Sequence, residues 1–275
     1  MLRSEGYAPH VIRTRKGERR LRKLIALAVA GAVAAAVAAV PASATHSWNG
    51  YHWARTANPF TLKLGDNVST YWDGNLSQTS SDWSKSSVLD TTIVAAGPGK
   101  CSTGVSGTVQ VCNKNYQNTG WLGLATIWIQ SGGHITAGTV KVNDYYLGPS
   151  ATYTYNNAAE REHVMCQEVG HTFGLDHQST SGSSLNTCMD YYHNTSGTDL
   201  KSTTPNQHDY DELAIIYKHL DSTTTIGAKA TTAPVPIGGF DEGGTPRGAS
   251  AERGNWYVAD LGAGRMVLVH VYWAR

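Results

Sequence analysis

The chain has 275 residues, 40% of them hydrophobic and 16% charged, with a formal net charge of +1 at pH 7. That composition accommodates one sizeable folded domain with appendages and excludes a disordered or collagen-like polymer. The near-neutral balance hides an asymmetry: residues 1–44 carry eight Lys/Arg against Glu5 and Glu18, which leaves 14 basic and 19 acidic side chains for the rest. A net negative body offers no basic stripe to a phosphate backbone, so nucleic acid is excluded as an expected partner.

In chain order, a basic stretch ending at Lys23 leads into Leu24–Val40, an uninterrupted run of small and apolar residues, and then into Pro41-Ala42-Ser43-Ala44. This order is that of a secretory signal peptide. Cleavage is expected after Ala44, giving a secreted, extracellular protein with no membrane segment in its mature form. A permanent anchor is the weaker alternative, because 17 mostly alanine residues sit at the short limit for a span and contribute little transfer energy. The export route stays open.

Export into an oxidising compartment favours disulfides, and four cysteines allow three pairings. Cys101 and Cys112 flank a Gly/Ser/Thr/Val segment of hairpin character, so a short cross-link is expected there. Cys166 and Cys188 would then pair, in a link worth about 3 kcal/mol by loop entropy. Free buried thiols are the alternative.

Residues 45–150 are rich in Thr, Ser, Gly, Trp and Tyr, and Thr108–Val111, Leu122–Ile129 and Thr139–Val142 carry strand patterns punctuated by turns. The texture changes at Asn157, which with Glu160 has the spacing of a capping box; a helix is predicted from there to Phe173, stopped by Gly174. On it Met165, Val169 and Phe173 form an apolar stripe. At about 100° per residue, Gln167 and His171 lie almost opposite that stripe.

Residues 179–205 are polar and irregular, and helical spacing resumes over Asn206–Leu220 with Leu213, Ile216, Tyr217 and Leu220. Asp209, Asp211 and Glu212 open that helix and Lys218 and His219 close it, as the helix dipole favours. Ser222–Gly239 has linker composition. Trp256–Trp273 is expected to form two short strands around Gly262-Ala263-Gly264.

The stretch Gln167-Glu168-Val169-Gly170-His171-Thr172-Phe173-Gly174-Leu175-Asp176-His177 carries the chemistry. It resembles the metzincin zinc peptidases of matrixin-like type, whose pattern H-E-x-x-H-x-x-G-x-x-H is followed downstream by a Met-turn. The resemblance implies zinc held by positions 167, 171 and 177, with Glu168 as general base in peptide hydrolysis, Gly174 turning the chain and Met189 of Cys188-Met189-Asp190-Tyr191 lying under the metal. By the same resemblance Tyr191 stabilises the oxyanion. Gly120–Ala125 resembles the edge strand that pairs with an extended peptide, which would make Leu122, Gly123, Leu124 and Ala125 substrate-binding. The helix bearing His208-Asp209-Tyr210 resembles the one that closes the catalytic domain.

The implied fold is α+β: a twisted mixed N-terminal sheet, the zinc helix, the Met-turn and a C-terminal helix over residues 45–221, then a linker and a small β extension over 222–275. One position departs from the pattern, Gln167 standing where the family has histidine; its amide oxygen is a weaker zinc donor than imidazole. The expected function is a secreted zinc-dependent endopeptidase acting as a monomer on protein or peptide substrates. The alternatives are a secreted pseudopeptidase or binding module that keeps the fold, and a chance match in an ordinary secreted β-rich protein. His163, one turn before Gln167, is expected to be a satisfied helix histidine. His46, His52, His134, His193, His208, His219 and His270 lack ligand spacing and are expected to be structural or surface residues.

Overall fold

A computed structural model describes residues 45–96, 101, 103–227, 250–253 and 255–274. The signal segment, its cleavage point and most of the linker composition lie outside the described residues.

The described elements are β1 (His52–Trp53), β2 (Phe60–Asn67), α1 (Asp73–Trp83), β3 (Leu89–Ala95), β4 (Thr108–Lys114), β5 (Trp121–Gln130) and β6 (His134–Asn143), then the short α2 (Asp144–Leu147). They continue with α3 (Ala158–His171), a 3-10 turn at Leu200–Thr203, α4 (Gln207–Ile216), β7 (Ser250–Arg253), β8 (Trp256–Gly262) and β9 (Arg265–Trp273). The strands make one mixed sheet in the order β3-β2-β4-β6-β5-β9-β8-β7, with β1 paired to β6. Strands β3, β2, β4 and β6 run parallel, and β5, β9, β8 and β7 are joined antiparallel. The mixed α+β class follows the expectation. The C-terminal strands do not form an appended unit, however; they extend the same sheet.

Burial explains why β5 is central. All residues from Trp121 to Ile129 are buried, the near-continuous apolar run of a strand covered on both faces. Side chains alternate between the faces, except at a bulge between Trp121 and Gly123 where Leu122 and Gly123 share a face. Leu122 and Ile127 join the large core under α3 with Trp53, Trp83, Val169 and Phe173. Trp121, Leu124 and Trp128 join a second cluster on the other face with Val267, Val269 and Val271 of β9. The same alternation turns Leu268, His270 and Tyr272 of β9 to the first face.

Helix α3 begins as its sequence indicates. Asn157 Oδ1 accepts from the Glu160 main-chain N–H at 2.9 Å. The second half of the box is not made, because the Glu160 carboxylate accepts from the Asn194 main-chain N–H at 2.5 Å instead. Helix α4 does carry the reciprocal box, between Asn206 and Asp209. It ends at Ile216, so Lys218 and His219 lie beyond it.

Both expected disulfides are formed, Cys101–Cys112 and Cys166–Cys188. Cys112 lies in a parallel strand, not the predicted hairpin. The second bridge fastens α3 to the turn that contains Met189.

Candidate metal centre

The end of α3 and the loop after it are held by one glycine. Gly174 has φ of +94°, and a Cβ there would sit 2.0 Å from the Tyr51 carbonyl oxygen. Only glycine meets both demands. The turn brings His177 back beside His171, their rings 4.8 Å apart. Met189 packs on α3 next to His171: a Cβ on Gly170 would meet its Sδ at 2.6 Å.

The third imidazole at this point comes from β9. The His270 ring lies 4.0 Å from that of His171 and 4.8 Å from that of His177. One nitrogen from each of the three falls within 4.8 Å of the other two. Each Nδ1 faces an acceptor: His171 the Leu175 carbonyl at 2.8 Å, His177 the Asp176 Oδ1 at 3.5 Å, His270 both Glu168 oxygens at 3.0 Å. Each Nε2 is buried with no hydrogen-bond partner. Burial, above all, pushes the pKa of His171 and of His270 down to about 3 and holds His177 well below the usual imidazole value, so the rings are neutral near pH 7.

Three neutral rings clustered together, each with a buried, unpartnered Nε2, form a donor set that suits zinc. The anchoring acceptors fix each tautomer and ring orientation as outer-shell partners do. Left empty, the same three buried acceptors would each bear a desolvation cost.

Gln167 does something other than expected. Its amide nitrogen donates to the main-chain carbonyls of Cys188 at 2.8 Å and Asp190 at 2.6 Å, while Oε1 is buried without a hydrogen bond. The two carbonyls fix the orientation of the amide, since a flip would set oxygen against oxygen. Gln167 therefore pegs α3 to the Met189 turn beside the disulfide, and the third nitrogen donor at the cluster is His270. His163, as expected, is satisfied within the helix packing, its Nδ1 2.6 Å from the Ser202 carbonyl.

Glu168 is fully buried between two strands. It accepts from the His270 ring and the Ala125 main chain, and burial pushes its pKa up to about 8. Tyr191 lies edge-on to His177 at 5.2 Å, and its hydroxyl accepts from the Trp273 main-chain N–H at 3.1 Å. The Trp256 ring lies 4.9 Å from His171 and 5.1 Å from His270, and its Nε1 donates to Asp176 at 3.0 Å. A cavity of about 580 Å³ opens beside His177, lined also by His46, Asp176, Tyr191 and Trp256.

The edge-strand expectation is overturned. Leu122, Gly123, Leu124 and Ala125 lie in a strand paired on one side to β6 and on the other to β9. Ladder positions that an incoming peptide would use are taken by Val271, Tyr272 and their neighbours, and Gly123 is packed against Val164 and Glu168. The four residues are core, not a free edge.

No local spacing marks His270 in the sequence. The signal that does exist is the strand Arg265–Trp273 itself: a histidine alternating with Leu268 and Tyr272 on a core-facing row must find a partner for its nitrogens.

No family model matches the sequence, and no curated protein matches it. Among solved structures the chain is similar to myroilysin, at 12% identity and a TM-score of 0.35 over 63% of this chain and 98% of that one. It is also similar to high choriolytic enzyme 1, a hatching enzyme zinc-protease from Oryzias latipes, at 8% identity and a TM-score of 0.33 over 62% and 96%. What the site can do is decided by its own side chains.

Proposed function

We propose that the protein is a secreted zinc-dependent endopeptidase whose metal is held by His171, His177 and His270. The observation that carries this reading is that the three buried imidazoles bring one nitrogen each within 4.8 Å of the others, while all three Nε2 atoms are buried without a hydrogen-bond partner. Zinc bound there supplies a Lewis acid that polarises a scissile carbonyl and acidifies water.

The protein's own groups do the rest. Leu175 O, Asp176 and Glu168 hold the three rings in orientation. Burial favours the protonated form of Glu168, so it would act as general base once a cation held by the histidines lowers its pKa; the carboxylate then takes a proton from the attacking water and returns it to the leaving amine nitrogen. Tyr191 donates its hydroxyl hydrogen to the developing oxyanion. Trp256 and Tyr191 wall the cavity at His177 and limit water there, and the substrate, a protein or peptide, enters through that cavity.

A second reading, a secreted metal-binding module without turnover, is favoured by one observation: β9 lies along the strand expected to receive a peptide. The two are separated by zinc content and cleavage of a mixed peptide substrate, measured on the wild type, His270→Ala and Glu168→Gln. The peptidase reading expects cleavage by the wild type, loss of both zinc and cleavage in His270→Ala, and at least a hundredfold loss of cleavage in Glu168→Gln at saturating zinc. If Glu168 serves only to orient His270, the Gln variant binds zinc 10–100-fold more weakly and recovers turnover when zinc is added. A wild type that binds zinc and cuts nothing leaves the binding module. His270→Ala retaining zinc and turnover would sink the ligand assignment.

A further inference from the structure

Away from the cluster above, a second group of histidines converges on one carboxylate. His52 lies in β1, His134 opposite it at the start of β6, and His219 and Asp221 in the segment after α4. The Nε2 atoms of His52 and His219 are 3.1 Å apart, and each is 3.5 Å from Asp221 Oδ1. His134 Nε2 approaches the same oxygen at 3.2 Å. Asp221 is nearly buried, with its side chain 8% exposed, whereas the His219 side chain is 56% exposed, so the group opens to solvent on one side.

We propose that His52, His219 and Asp221 form a second zinc site. Donors placed at about 2.0–2.2 Å around a tetrahedral zinc stand roughly 3.2–3.6 Å from one another. The three separations here, 3.1, 3.5 and 3.5 Å, are close to those edges.

The surroundings orient the donors in the way metal ligands are oriented. His52 Nδ1 faces the Gly50 carbonyl at 2.8 Å, which puts its hydrogen there and leaves the Nε2 lone pair pointing into the group. The other oxygen of the carboxylate, Oδ2, accepts from Arg55 through the main-chain N–H at 3.1 Å and Nη1 at 3.0 Å. Oδ1 is thereby reserved for the histidine side. The same Arg55 donates to the His219 carbonyl, which fixes the segment carrying two of the donors. Without a cation the two facing Nε2 atoms can share only one proton. A zinc ion would satisfy both lone pairs and tie β1 to the segment after α4.

This site is independent of the one at His171, and a single experiment reads both. The full-length secreted protein is loaded with zinc alone, passed over a desalting column and analysed for bound zinc per chain, beside His219→Gln and His171→Ala. His219 is exposed, so its replacement leaves the fold in place. Two zinc ions in the wild type, falling to one in each variant, is the expected result. One zinc, kept by His219→Gln, overturns the second site and leaves the first standing. One zinc lost only in His219→Gln supports the second site and removes the first, and no zinc at all overturns both. Should His171→Ala fail to fold, the thermal midpoint decides: zinc must raise that of the wild type by more than that of His219→Gln, and equal rises overturn the proposal.

Discussion

A methyl group on Gly174 would need space already taken by the Tyr51 carbonyl oxygen, at a backbone angle that L side chains avoid. Gly174→Ala should therefore lower stability by about 2–4 kcal/mol, read as a fall in the urea midpoint at unchanged slope. Because the same turn sets His177 beside His171, zinc affinity should fall in the same variant. This residue and its reason were legible in the sequence, since a glycine three residues after His171 already marked a sharp turn. Gln167 was not legible in the same way. Its spacing fits a ligand, but its amide nitrogen found two main-chain carbonyls of the Met189 turn, and the geometry of that turn is a long-range fact.

Helix α3 owes its start to Asn157, whose side chain both caps the Glu160 N–H and donates to the carbonyls of Thr154 and Asn194. Asn157→Ala should cost about 1–2 kcal/mol, measurable by chemical unfolding, while Asn157→Ser should recover part of it. Strand β9 shows the opposite balance between local and distant causes. Its alternating apolar pattern predicted a strand, and a strand it is. Nothing in its nine residues says that it pairs with β5 and not with a neighbour of its own in a separate extension. The pairing follows from the unfilled edge of β5, which is apolar along its length and would be costly to leave open to water.

At the scale of the whole molecule, the buried carboxyl of Glu162 couples stability to pH. It accepts from Asn75 at 2.8 Å and Thr79 at 2.9 Å where α3 meets α1, and burial pushes its pKa from 4.5 up to about 7. Below pH 4.5 the group is protonated in both folded and unfolded chains and stability is unaffected. Between about 4.5 and 7 the unfolded chain releases a proton that the folded one keeps, so stability falls as pH rises, and above 7 the loss is complete. Glu162→Gln should be more stable than the wild type at pH 8 by on the order of 2 kcal/mol and indistinguishable from it at pH 4, a comparison that thermal melts at the two pH values make directly. By itself the sequence determined the strands around Thr108–Val111, Leu122–Ile129, Thr139–Val142 and Trp256–Trp273, the helix capped by Asn157 and the His171-to-His177 turn, because each depends on neighbours within a few residues, and it narrowed the cysteines to a short list of pairings. Only the tertiary structure decided that His270, 93 positions after His177, joins the two histidines, that β5 has no free edge, and that His52, His219 and Asp221 meet. Those outcomes depend on which strands lie side by side in the sheet, and strand adjacency is set by burial across the whole chain.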